Sequence, residues 1–364
     1  MSKEEKMLVL QMVADGQITP EQGVELLNAL EPGKAHGLSY GISQGISEGL
    51  SRGLSFETDI GDVVRQKVEE ASVRVEDIAG GVAGNIGKVL SQIFGGTSFG
   101  GSRFEFTEEI RGEFPEDGEL EVGVWTSNGR IHVETWDEPG YLLTVIKKIR
   151  AQDEDEARQV LENCYEFSQE RLSLKVKATD KHGLDFRGLS VGFSLKVPAS
   201  RKASLTLKSA NGRVTADKLN GSSCLMGTAN GRVVASGCGF DKVRLSTANG
   251  RIEYEGTAGE LDASTANGSV NAELKGAGDW RFSSANGRIS INVSKDANAA
   301  YELDLSARAG GITVEGMDDA EVAEDVAVGR HRRRYKARSR GFENAGVKGR
   351  IRATTGNGRI RVLF

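Results

Sequence analysis

Ser-Ala-Asn-Gly-Arg-Val at 209–214, Thr-Ala-Asn-Gly-Arg-Val at 228–233 and Thr-Ala-Asn-Gly-Arg-Ile at 247–252 are three copies of one phrase. Thr-Ala-Asn-Gly-Ser-Val at 265–270 and Ser-Ala-Asn-Gly-Arg-Ile at 284–289 continue it. The asparagines stand at 211, 230, 249, 267 and 286, in steps of 19, 19, 18 and 19. A fixed period this short leaves no room for a pair of helices and points to stacked β units.

Aligned on Asn, each copy alternates. Val214, Val233, Ile252, Val270 and Ile289 form one apolar column, and Ala216, Ala235, Tyr254, Ala272 and Ile291 form another. Thr215, Val234, Glu253, Asn271 and Ser290 lie between them. On the other arm, Cys224, Val243, Leu261 and Trp280 share a column, as do Met226, Leu245, Ala263 and Phe282. Period-two alternation predicts two short strands per unit with one buried face. Asn-Gly is expected to make the tight corner because both residues tolerate positive φ. Gly-containing stretches (220–221, 237–239, 256–259 and 276–278) are expected to close the other corner. The fold class that follows is mainly β, a β-solenoid rising roughly 4.8 Å per coil. A β-sandwich of hairpins is the alternative, although it would not require identical columns in every unit.

The chain has 364 residues, enough for two or three domains, and a formal net charge of −5, which argues against nucleic acid as a partner. Three cysteines without a Cys-x-x-Cys pair make neither a disulfide framework nor a zinc site. Cys224 in an inward column and Cys238 at a corner read as packed thiols. The N-terminus lacks the apolar run of a signal peptide, and no run of 18 apolar residues spans a membrane. A cytoplasmic location is the expectation.

Residues 1–31 read as a helical hairpin. Gly16 ends the first helix, and Thr19-Pro20-Glu21-Gln22 caps the second. Residues 32–102 combine a Gly-rich tetrapeptide repeat at 37–56 with an amphipathic segment at 60–94. In the latter, Val64, Val68, Ala71, Val75, Ile78, Val82, Ile86, Val89 and Ile93 make a heptad-like stripe. This segment is expected to mediate homo-oligomerisation, with a membrane-surface helix as the alternative. Residues 103–364 are assigned to the solenoid, with a short inserted helix near 153–164. The closing Asn357-Gly358-Arg359-Ile360 reads as a terminal coil.

Little here has the form of a catalytic site. His36, His132, His182 and His331 are scattered, and no phosphate loop, nucleophile elbow or dinucleotide fingerprint is present. Glu253, Glu255 and Asp262 are the one carboxylate group to test for glycan hydrolysis. No catalytic, metal or cofactor site is expected. Stacking would create two rows. Asn211, Asn230, Asn249, Asn267 and Asn286 would form a structural amide ladder. Arg213, Arg232, Arg251 and Arg288, interrupted by Ser269, would project beside it. That row, and the denser run containing Arg332, Arg333, Arg334 and Lys336, are the candidate anion or membrane sites. The acidic segment Asp318 to Asp325, just before the run, is placed to neutralise it.

Met12-Val13, Gly16, Ile18-Thr19-Pro20-Glu21-Gln22 and Leu26-Leu27 in the hairpin, with Leu195-Lys196-Val197-Pro198 and the Asn-Gly-Arg repeats, resemble the bacterial YvlB/LiaX-like family. In that family such a hairpin accompanies an adhesin-type β-repeat domain. The resemblance implies a role in cell-envelope stress without known catalysis, and it carries no binding residues across. The reading is therefore a non-enzymatic scaffold or sensor, acting on envelope-stress proteins or an anionic membrane surface, peripheral at the inner membrane face. A surface-exposed adhesin-like binding protein is the second reading and a glycan-active β-helix enzyme the third.

Overall fold

The computed structural model describes residues 102–115, 117–179, 188–294, 298–318, 320–328 and 332–364. The predicted hairpin, Gly-rich repeat and amphipathic segment lie outside the described residues. Strands β1 (Ser102–Gly112), β2 (Leu120–Asn128), β3 (Ile131–Trp136) and β4 (Tyr141–Ala151) precede α1 (Glu154–Leu161). Strands β5 (Tyr165–Glu170), β6 (Ser173–Ala178) and β7 (Ser190–Pro198) follow. The repeats supply β8 (Ala203–Asn211), β9 (Val214–Asp217), β10 (Asn220–Asn230), β11 (Val233–Asn249), β12 (Ile252–Asn267), β13 (Val270–Lys275), β14 (Asp279–Asn286) and β15 (Ile289–Ser294). Beyond them come β16 (Ala299–Ala309), β17 (Ile312–Glu315), β18 (Ala320–Val328), β19 (Arg332–Ser339), β20 (Val347–Asn357) and β21 (Ile360–Leu363).

These strands wind a two-faced β-solenoid. The arms before the Asn-Gly corner pair in parallel in the order β2, β8, β10, β11, β12, β14, β20, β16. The arms after it pair in parallel in the order β3, β9, β11, β12, β13, β15, β21, β17. Identical positions stack, so Asn230 is level with Asn249 and Val233 with Ile252. The inward columns are the predicted ones. Val214, Val233, Ile252, Val270 and Ile289 are fully buried, as are Leu245 and Trp280 on the facing arm.

The second corner differs from the expectation. In β11 and β12 the chain bends there without leaving the strand, through Gly237 (φ 62°) and Gly256 (φ 144°). Large aromatic side chains fill this end of the core and satisfy its carbonyls. Tyr254 donates to the Thr257 carbonyl at 2.6 Å, Trp280 to that of Ala258 at 2.9 Å and Tyr301 to that of Gly276 at 2.8 Å. Pairing these donors matters because an unpaired buried polar group costs about 1–3 kcal/mol.

Antiparallel strands cover both ends, where parallel stacking would otherwise leave open edges. At the N-terminal end β7 lies on β3, with β4 and then β1 outside it, while β6 and β5 extend the other face. Helix α1 packs on β4 through Ala157 and Leu161, and the Asp153 side chain caps it by accepting from the Glu156 amide at 2.8 Å. At the C-terminal end the β18–β19 hairpin lies on β16.

One expectation is overturned. The last two strands are not the terminal coil: β20 and β21 insert between β14/β15 and β16/β17. Ile351, Ala353, Ile360 and Val362 are fully buried there. The segment 299–339 is thus laid on a bed that the chain supplies only afterwards. Deleting residues 347–364 should therefore unprotect 299–339 as well as remove one coil. Amide hydrogen exchange of the truncated chain checks this, and native protection in β16 would contradict the register.

Candidate functional site

The Asn-Gly corner repeats in every coil, and each residue of the motif has a separate task. The Ser or Thr two before Asn points inward and donates to the corner glycine carbonyl of the adjacent coil. Thr228 reaches Gly212 at 3.1 Å, Thr247 reaches Gly231 at 3.1 Å, Ser284 reaches Gly268 at 3.1 Å and Thr355 reaches Gly287 at 3.0 Å. The asparagines form an unbroken amide ladder. Asn211 donates to Asn128, Asn230 to Asn211, Asn249 to Asn230, Asn267 to Asn249 and Asn286 to Asn267, each at 2.9 Å. Asn357 completes it by donating to Asn286 at 2.8 Å.

The glycine has a reason other than the expected one. None of the ladder asparagines or the glycines after them has φ in the left-handed region. A Cβ on Gly212, Gly231, Gly250, Gly268, Gly287 or Gly358 would instead overlap the carbonyl oxygen of the corner glycine one coil away. Close stacking, not turn conformation, excludes every larger residue.

Two residues after Asn the side chain leaves the corner. The structure brings Arg213, Arg232, Arg251 and Arg288 together in one row and adds Arg130 and Arg359 at its ends, with Ser269 the one interruption. The sequence reading left out these two because their coils join the stack 83 and 71 residues away in the chain. Their own Asn-Gly-Arg triplets were the available signal. Arg251 contacts Glu253 at 3.3 Å and Ser269 at 3.1 Å. Among the described residues, Arg130, Arg213, Arg232, Arg288 and Arg359 make no ion pair.

The denser basic run meets the opposite fate. On β19, Arg333 pairs with Asp325 at 3.3 Å, while Arg334 lies 3.7 Å from Asp304 and 3.6 Å from Glu324. Lys336 lies 3.9 Å from both Asp304 and Glu324, and Arg338 bridges Glu302 and Glu343. Arg332 is exposed at the start of the strand. Such exposed pairs add little stability, but they cancel the field of the cluster.

The carboxylate group is not a group. Glu253 and Glu255 point outward from the arm after the corner, and Asp262 points outward from the arm before it, on the opposite face of the solenoid. Glu255 accepts from Ser236 at 2.8 Å. His132 contacts Thr215 at 2.7 Å and Glu134 at 3.4 Å, and the other three histidines lie outside the described residues. No cluster of His, Cys, Asp or Glu among the described residues could hold a metal ion. No described helix is long and apolar enough to cross a membrane. Cys164, Cys224 and Cys238 are buried and free. Burial pushes the Cys238 thiol up to about 11 and raises the other two, so thiolate chemistry is suppressed at all three.

The Toastrack family model (DUF4097) matches residues 105–336, which run from β1 into β19 and stop short of the inserted β20 and β21. A SHOCT-like domain model matches residues 4–35. No curated protein matches the chain. Among solved structures, a candidate cell adhesion protein from Clostridium sporogenes is 12% identical with a TM-score of 0.35, over 71% of this chain and 99% of its own. A candidate adhesin from Bacteroides fragilis is 11% identical at a TM-score of 0.30, over 72% and 98%. A candidate lipid-binding protein from Parabacteroides distasonis is 14% identical at a TM-score of 0.30, over 71% and 96%.

If coil contact is what selects glycine at the corner, Gly250→Ala should lower unfolding free energy by about 2–3 kcal/mol, as overpacking does. Gly346→Ala, where a Cβ meets nothing within 4 Å, should be near neutral. Urea unfolding of the two variants makes the comparison.

Proposed function

The chain belongs to the Toastrack DUF4097 family, and we propose that it is a non-enzymatic binding scaffold of the bacterial envelope-stress response whose arginine edge engages an anionic membrane surface. The single observation that carries the reading is electrostatic. Five of the six edge arginines make no ion pair among the described residues, and they recur at the coil spacing of roughly 4.8 Å. A straight row of guanidinium groups held by a rigid ladder matches a surface of repeating phosphates, because each side chain presents several donors to phosphate oxygens. The resemblance of the N-terminal motif to the YvlB/LiaX-like family supports the envelope-stress context, and the proposed place is peripheral, at the inner membrane face.

The neutralised β19 cluster is the internal control. Each basic residue near an anionic surface contributes roughly 1 kcal/mol, so Arg213→Gln, Arg232→Gln and Arg288→Gln together should weaken binding on the order of 100-fold. Arg333→Gln, Arg334→Gln and Lys336→Gln together should change it by less than about threefold, since each already lies within reach of a carboxylate. Sedimentation of the full-length protein with phosphatidylglycerol vesicles reads both, and binding should fall as salt is raised. Equal loss from the two triple variants would remove the edge from the reading. Absence of binding by the unaltered protein would favour an adhesin-like partner instead.

A further inference from the structure

Among the described residues four strands end a sheet with one side unpaired: β1 pairs only with β4, β5 with β6, β17 with β21 and β18 with β19. Such an edge offers free N–H and C=O groups to another strand, and proteins protect it by keeping it short or bulged. β17 runs only from Ile312 to Glu315 and β5 from Tyr165 to Glu170, and β18 carries a bulge between Val322 and Glu324. β1 has neither protection. It pairs with β4 in unbroken register from Ser102 opposite Ala151 to Gly112 opposite Tyr141, and it contains no proline. Phe104 and Ile110 lie level with the buried Ile149 and Leu143, and with Phe106 they form a half-buried apolar row at the rim of the core. On the outer face Arg103, Glu105, Thr107, Glu109 and Arg111 are all exposed. Among the described residues Arg103 makes no ion pair, and Glu109 reaches only Arg111, at 3.7 Å.

We propose that β1 is a docking edge for a second copy of this chain, whose own β1 adds antiparallel to it about a two-fold axis. Charge complementarity decides both the occupant and the register. An added strand must keep its apolar row inward, so the register can shift only by whole pairs of residues. Like charges directly opposite one another oppose pairing. Centring the axis on Glu105, Glu108 or Glu109 sets that carboxylate against its own copy, and centring it on Thr107 sets Arg103 against Arg111. Centring it on Phe106 is the one arrangement, among those that pair more than half of the strand, in which no like charges meet. Arg103 then lies opposite Glu109 of the second copy on both sides of the axis, and Glu105 lies opposite Thr107. The two Phe106 side chains adjoin at the centre, each with its own Arg158 over the ring at 4.8 Å. Opposite-charge and aromatic cross-strand pairs both favour such a pairing. The product is one antiparallel sheet that runs through β7, β4 and β1 of each copy. A single strand pair is a small interface, so the dimer forms and parts with concentration.

This inference goes beyond the arginine edge and does not rest on it. Sedimentation equilibrium of the full-length chain should show monomer and dimer exchanging with concentration. Arg103→Glu sets two carboxylates against each other on both sides of the axis, and Glu109→Arg does the same with two guanidinium groups. Each alone should weaken dimerisation roughly tenfold. The two substitutions together exchange the charges and keep the pairing, so the double variant should return to within about threefold of the unaltered chain. Both positions are exposed, so the thermal unfolding of all three variants should match that of the unaltered protein. A damaged fold could not produce that rescue. A chain that stays monomeric would overturn the docking edge. A dimer indifferent to both single changes would place the contact elsewhere and overturn it as well. Weakening without rescue would overturn the register on which the charge argument stands, and the proposal with it.

Discussion

Contact between consecutive corner glycines is the constraint on which the rest of the molecule depends. The coils approach so closely there that the glycine carbonyl of one coil fills the space a Cβ of the next would need. That approach lets the Ser or Thr hydroxyl reach the same carbonyl and lets the asparagine amides join into a continuous ladder. Each bond is modest, about 0.5–1.5 kcal/mol net, but all are repeated in one register. A slip of a single residue would turn every inward column out to solvent. The corner therefore sets the register, and the register sets the core.

From that register follows the electrostatic contrast between two groups of arginines. Those at the corner project from an edge where, apart from Ser269, the neighbouring position in each coil is another arginine, and among the described residues only Arg251 finds a carboxylate. Those on β19 lie flat on a sheet whose adjacent strands, β16 and β18, carry Glu302, Asp304, Glu324 and Asp325 at reachable positions. Local charge density favours the second group, but availability for a partner favours the first.

The insertion of β20 and β21 has a related physical cause. The arm from Arg350 to Asn357 carries the full corner motif, Thr355-x-Asn357-Gly358-Arg359, and so fits directly on the coil of Asn286. The arm ending at Ala309 has no asparagine or arginine at the matching positions, so the ladder stops at Asn357. The coil that cannot extend the ladder is the one left outermost, and the β18–β19 hairpin then covers one of its faces.

Much of this was legible in the residues. The period, the inward columns, the amide row and the four central arginines follow from spacing alone, because a stacked coil repeats its chemistry at each turn. The sequence by itself determined that coil and the residues that line it. Tertiary structure alone decided which coils are neighbours, and so it recruited Arg130 and Arg359 to the edge and moved the last strands inside. It also separated Asp262 from Glu253 and Glu255, since the two arms of one coil face opposite ways. Spacing describes one coil at a time. Neutralisation of β19 was legible in the acidic run beside it, whereas the placing of β20 between β14 and β16 joins segments far apart in the chain, and no local period encodes that.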